Sequence, residues 1–302
     1  RAAPRVARRF AAQAVAAQYR RCFTRAMAEA ARRPAEGRYG GDGLPSREKR
    51  SSPRGRATPR PLGVTSELSP VSVVIPTRNR AALLCETVAA CLRNAGEVEL
   101  ELVVIDDGSE DETPLRLEKL AQEHPNLVWR RLEHAGPGAA RNLGAQISRH
   151  AVILFLGDDI QPLDAGFFRV HAELHAGRPE RDFAVLGKVV WPEGPGEEAS
   201  FLMAMVQGRD GEQFQFANLA PYDFVEWRCF YTANVSVKKS IVDDWLREGF
   251  STRFPLAAFE DAEFAYRMRK KPGGLRILYA PAAIARHHHR FDATAFMQRQ
   301  QA

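Results

Sequence analysis

The 302-residue chain is 45% hydrophobic and 26% charged, enough apolar material for one large domain or two small ones with a real core. Its net charge of +6 is unevenly placed: residues 1–68 hold 16 Lys and Arg against five acids, a net +11, whereas the rest holds 27 against 32, a net −5. The folded part is therefore mildly acidic and no nucleic-acid partner is expected for it; no run approaches the ~20 apolar residues that cross a bilayer, so an integral-membrane protein is not expected either.

The chain opens on Arg1 rather than Met and reads as a fragment or a processed product. Residues 1–33 are rich in Ala and Arg, with a helix expected near 5–33. Such a basic leader suits a transit peptide, a mobile tail, or a surface helix making peripheral contact with the inner face of a membrane. Pro, Gly, Ser and Arg dominate 34–68, which read as disordered linker. The four cysteines, Cys22, Cys85, Cys91 and Cys229, form no Cys-x-x-Cys pair. Reduced thiols are expected, which fits a cytoplasmic location.

From Pro70 the texture changes. Strands are predicted at 71–75, 100–105, 127–132 and 151–156, alternating with helices at 81–95, 113–122 and 138–148. Short, nearly continuous apolar strands separated by helices predict an α/β fold with a mostly parallel central sheet flanked by helices. Further on, the pattern predicts a strand at 185–190, an apolar stretch near 225–237, helices at 239–247 and 260–270, and a strand at 275–279. The stretch 192–224 carries no clear period.

Ligands of such sheets bind beyond the carboxyl ends of the strands. Polar clusters stand there: Pro76-Thr-Arg-Asn-Arg80, Asp106-Asp-Gly-Ser-Glu-Asp111 and Gly157-Asp-Asp-Ile160. Each alone is an ordinary turn or cap; together they predict one cleft. Asp158-Asp159 follows a buried strand, a costly place for two carboxylates without a cation. Oxygen ligands of that kind suit Mg²⁺ or Mn²⁺ bridging protein to a diphosphate.

Ser72-Val-Val-Ile-Pro-Thr-Arg-Asn-Arg80, the Asp-Asp-Gly-Ser turn, Gly136-Pro-Gly-Ala-Ala-Arg-Asn-Leu-Gly144, Gly157-Asp-Asp159 and Phe259-Glu-Asp-Ala-Glu-Phe264 resemble the family 2 glycosyltransferases. The motifs occur in family order over about 220 residues. The resemblance implies a GT-A fold, a Rossmann-like nucleotide-diphospho-sugar transferase domain, over 69–290, followed by a tail at 291–302. It further implies an inverting, hexosyltransferase-type enzyme that moves a sugar from a UDP-sugar to a glycan, lipid-linked or other hydroxyl acceptor. Carried over residue by residue, Pro76 and Asp107 would hold the nucleobase and Arg141 would lie near the nucleotide. Asp158 would contact the donor's ribose or sugar and Asp159 the Mn²⁺ or Mg²⁺ ion. Asp261 would be the catalytic base, with Glu260 as fallback. Arg78 stands where many relatives place an aromatic that stacks on the base, and a guanidinium can stack too. One of His287, His288 and His289 would add a metal or diphosphate contact, His287 being preferred. Trp191, Trp227, Phe230 and Tyr231 fall in the half that forms the acceptor site, with at least two expected in the core. Asn234-Val-Ser236 resembles a segment near the donor sugar.

Two enzyme rivals lack their fingerprint: no Gly-rich loop follows Ile75, as a sugar nucleotidyltransferase or a dinucleotide-dependent dehydrogenase would need. An inactive relative acting as a binding or scaffolding module is the non-enzymatic alternative.

Overall fold

The computed structural model describes residues 68–191, 214, 216–241, 249–254, 260–271 and 273–288. The expected leader and C-terminal tail lie outside these residues, as does most of the helix expected at 239–247. Strand β1 (Val71–Thr77), helix α1 (Ala81–Arg93), β2 (Leu100–Asp106), α2 (Thr113–Glu123), β3 (Leu127–Arg131), α3 (Pro137–Ile147) and β4 (Val152–Leu156) follow one another as the apolar pattern predicts. Then come β5 (Ile160–Pro162), α4 (Gly166–Ala176), β6 (Phe183–Val190), β7 (Phe224–Val225), β8 (Asn234–Lys238), α5 (Glu260–Met268) and β9 (Arg276–His287). Neither β5 nor α4 was expected, and β9 runs well past the predicted strand end at 279.

The strands form one sheet in the order β3-β2-β1-β4-β8-β6-β9-β5, with β7 beside β9. Pairs among β1 to β4 are all parallel. Antiparallel pairing enters with β8, β5 and β7, while β6 and β9 run parallel, so the parallel character belongs to the first half of the sheet. Every residue of β2 and β4 is buried, and all of β1 except Pro76. Strands buried on both faces need no alternation, hence the continuous apolar runs. Helix α1 turns Leu84, Thr87, Val88 and Cys91 inward, an i, i+3, i+4, i+7 stripe.

A polar layer sits inside the second half. His171 and His175, one turn apart on α4, are both buried. His171 Nδ1 and His175 Nε2 lie 2.8 and 2.9 Å from Ser236 Oγ, and His171 Nε2 lies 3.1 Å from Asn234 Oδ1. Burial pushes His171 down to about 4 and His175 well below the usual imidazole range, so both are neutral at pH 7. The Asn234 amide also donates to the carbonyls of Lys188 and Ala283. Asn234-Val-Ser236 thus serves as a structural ladder inside the sheet, with Asn234 paired to Leu156 just before the Gly157 turn. Ser236→Ala would strip a partner from both imidazoles, and each orphaned buried group costs about 1–3 kcal/mol. A clear fall in thermal midpoint is expected; an unchanged midpoint would mean that the network contributes nothing.

Candidate active site

The loops after β1, β2, β3 and β4 meet beyond the carboxyl ends of these parallel strands. Parallel strands β2 and β4 flank β1 on opposite sides, so the chain reverses its strand order there and leaves a crevice, the usual ligand position in such sheets. The loop after β1 is stapled to the loop after β2: Asn79 N donates to Ser109 Oγ at 2.9 Å, and Glu110 N donates to Asn79 Oδ1 at 2.7 Å. Asp107 reaches from β2 to the loop after β3. Its carboxylate accepts from Ala135 N at 2.6 Å and Gly136 N at 3.0 Å, with His134 Nδ1 at 3.3 Å. Gly136 makes that turn at φ +89°, a backbone that favours glycine. Arg78 Nη1 lies 3.1 Å from His134 Nε2, so Arg78 joins the same rim. Pro76, in β1, is half-buried beneath it.

The register Val74↔Phe155 between β1 and β4 carries Thr77 to the level of Asp158. Thr77 Oγ1 donates to Asp158 Oδ2 at 2.8 Å, and Thr87 Oγ1 of α1 donates to the Asp158 carbonyl at 2.8 Å. Arg80 Nη1 bridges the neighbouring carboxylates, 2.9 Å from Asp158 Oδ1 and 2.8 Å from Asp159 Oδ2. Gly157 opens the turn, where a Cβ would meet Asp159 Oδ1 at 2.9 Å. Burial, then the adjacent Asp159, push Asp158 up to about 6, with Arg80 and Thr77 opposing them. Arg80, Thr77 and Thr87 had been assigned no role from sequence.

Strand β9 delivers His287. Antiparallel pairing sets His287 opposite Ile160, and His288 N donates to the Asp159 carbonyl at 2.8 Å. His287 Nε2 comes to 3.4 Å from Asp159 Oδ2. The Trp191 indole stacks on the imidazole at 4.8 Å and 12°, and Phe214 meets it edge-on at 5.9 Å. His289 lies outside the described residues.

Asp261 stands in the first turn of α5, partly open to solvent, and accepts from Thr232 N at 3.4 Å. The next residue, Ala233, accepts from Gly157 N, which links the helix start to the Asp158-Asp159 turn. Burial, then Glu260, push Asp261 up to about 6, with Arg141 opposing them. Glu260 and Arg141 are both buried and form an ion pair at 2.5 Å, and the Arg141 guanidinium lies 5.7 Å from the Phe250 ring centre. Arg141 therefore anchors the start of α5 from α3. A paired, buried Glu260 is a poor alternative to Asp261 as a base.

The expected aromatics divide. Phe230 is core, packed on Phe264, and Trp227 is buried beneath Arg228 and Arg269. Tyr231 contacts Phe214 and Phe216 edge-on.

The geometry fits a divalent cation. An octahedral ion with ligands about 2.1 Å away holds adjacent donors about 3 Å apart, close to the Asp159–His287 separation. Carboxylate and imidazole together suit Mn²⁺. Among the described residues no three His, Cys, Asp or Glu side chains gather as a ligand set. Among the same residues, no helix is long and apolar enough to cross a membrane.

Comparison with known proteins bears on this cleft. The model of the family described as Glycosyl transferase family 2 matches residues 72–219, which hold the strand-end loops but not Asp261 or His287. Validoxylamine A glucosyltransferase of Streptomyces hygroscopicus subsp. jinggangensis is 33% identical over 236 residues, covering 68% of this chain and 53% of that protein. The chain thus spans about half the length of the curated relatives it matches. Among solved structures, the mannosyltransferase PcManGT from Pyrobaculum calidifontis, in complex with GDP-Man and Mn²⁺, superposes with a TM-score of 0.55 at 16% identity, covering 96% of this chain and 70% of that one. TarS 1-349 of S. aureus, in complex with UDP-GlcNAc, gives 0.54 at 18% identity over 75% and 60%. At such identities these two establish the fold. Motifs, relatives and fold agree, and the chain belongs to the family 2 glycosyltransferases of GT-A fold.

Proposed function

We propose that this chain is an inverting glycosyltransferase that moves a hexose from a nucleotide-diphosphate sugar, with UDP as the expected nucleotide, to the hydroxyl of a glycan, a lipid-linked acceptor or a related compound. The observation that carries the reading is the linkage of the Asp158-Asp159 turn to Asp261 through Thr232 and Ala233, at the crevice where the parallel strand order reverses.

In this reading Pro76, Arg78 and Asp107 line the nucleobase end. The Asp107 carboxylate already clamps residues 135 and 136, so it shapes that end as well as offering acceptor capacity to it. Asp158, braced by Thr77, faces the ribose or sugar. Asp159 and His287 would hold Mn²⁺ or Mg²⁺, which when bound neutralises charge developing on the departing diphosphate. Asp261 accepts the proton of the acceptor hydroxyl as its oxygen attacks the anomeric carbon from the face opposite the diphosphate, so the configuration inverts. Arg141 and Glu260 position Asp261 from beneath and do not touch the reacting atoms.

A carboxylate pushed up to about 6 is a base near its working pH. It accepts a proton only when ionised, so transfer should fall about tenfold per pH unit below that value. A kcat/KM profile with an acid limb near pH 6 is the expected result; a flat profile from pH 5 to 8 contradicts the assignment of Asp261. The reading as a whole is tested by Mn²⁺-dependent hydrolysis of a panel of UDP-, GDP- and dTDP-sugars. Turnover of one donor, lost on chelation, supports it. No turnover and no metal-dependent binding of any donor would favour a scaffolding relative.

A further inference from the structure

Arg80 occupies an unusual position for a surface-proximal side chain. A single guanidinium nitrogen, Nη1, touches both Asp158 Oδ1 and Asp159 Oδ2. Asp159 Oδ2 is also the oxygen that faces His287 Nε2, so Arg80 is bound to the very atom proposed as a metal ligand. A guanidinium and a divalent cation cannot both sit at contact distance on that side of one oxygen without strong repulsion, because two positive charges a few ångströms apart oppose each other even at a protein surface.

Arg80 also has somewhere to go. Its side chain is 36% exposed. It lines a cavity of about 680 Å³ together with Asn79, Cys85, Asp111, Glu112 and Arg116, between the starts of α1 and α2. Asp111, Glu112 and Arg116 border that space; Glu112 and Arg116 pair with each other at 2.9 Å, which leaves the Asp111 carboxylate to offset the charge that a displaced guanidinium would bring. Its backbone, by contrast, is fixed: Leu84 N donates to the Arg80 carbonyl at 2.9 Å, and the neighbouring Ala81 N donates to Asp111 Oδ2 at 3.2 Å. Only the side chain needs to move, a rotamer change with no cost to the helix start.

We propose that Arg80 is a built-in competitor of the metal: it neutralises the Asp158-Asp159 pair, and a divalent cation gains Asp159 only by displacing the guanidinium toward the cavity between α1 and α2. The inference rests on the metal reading above and adds a device to it. Two carboxylates next to each other are held together by an internal cation, so the site stays charge-compensated at every stage. The exchange also tunes metal affinity downward, which favours joint loading of metal and donor over tight binding of the ion alone.

The test is Mn²⁺ binding to the full chain without donor, followed by electron paramagnetic resonance of the free ion. Arg80→Met should bind Mn²⁺ about tenfold more tightly than wild type, and Arg80→Lys, which keeps the charge, should stay near wild type. Asp159→Ala should bind none. Unchanged or weaker binding in Arg80→Met, beside measurable binding in wild type, overturns the inference and leaves the metal reading standing. No binding in any variant, with or without donor, overturns both. A second measurement needs no variant: Mn²⁺ should increase modification of Arg80 by phenylglyoxal, read by mass spectrometry, and an unchanged rate at Arg80 contradicts the displacement.

Discussion

Asp261→Asn is expected to lower sugar transfer about 10²–10⁴-fold while donor binding is retained, the range set by loss of a positioned general base. The amide matches the carboxylate in shape and can keep the bond from Thr232 N, but it cannot take a proton from the acceptor. Asn also serves well at a helix start, so the substitution separates catalysis from the ordinary role of an acid in a first turn. Transfer rates together with calorimetric donor binding provide the check. Near wild-type transfer would move the base elsewhere, and the buried Glu260–Arg141 pair leaves no ready substitute beside it.

Asp159→Ala should have an effect of similar size for a different reason. Removing the carboxylate takes away one of two candidate metal ligands and one of two partners of Arg80. Loss of preorganised charge at a departing group costs about 10²–10³-fold. Transfer should fall by at least that factor, and Mn²⁺ binding should vanish with it. Arg80 then has Asp158 to itself, so folding should survive. Thermal melting guards against misreading an unfolded variant. Retained Mn²⁺ dependence in Asp159→Ala would contradict the ligand assignment.

The parts of the site that could be read from sequence are those carried by local pattern. Strands buried on both faces announce themselves as apolar runs, and polar residues after them mark the crevice. What could not be read was pairing. Thr77 and Asp158 are brothers in register only because Val74 aligns with Phe155, and no local feature states that alignment. Arg80 was visible within its motif, but its bridging of two carboxylates follows from the same register. Helix α4 was missed because two of its inward positions are His171 and His175, which break an apolar stripe until Ser236 and Asn234 are known to satisfy them. Strand β9 extends beyond its apolar start and carries Pro281 in its interior, a residue that local pattern places at strand ends. The register with β6 shifts at Gly187 and Lys188, which lets the strand continue beyond that proline to His287. Arg141 was legible within its motif, but its ion pair with Glu260, 119 residues further on, is a long-range contact that no local pattern states.

The central claim is that the crevice between β1 and β4 binds a nucleotide-diphosphate sugar through a divalent cation. The most direct measurement is calorimetric titration of the full chain with UDP-, GDP- and dTDP-sugars, each with Mn²⁺ and with a chelator. Binding of one donor class that requires Mn²⁺, and that is lost in Asp159→Ala, is the predicted result. Equal donor binding in wild type and Asp159→Ala, indifferent to chelation, would contradict it.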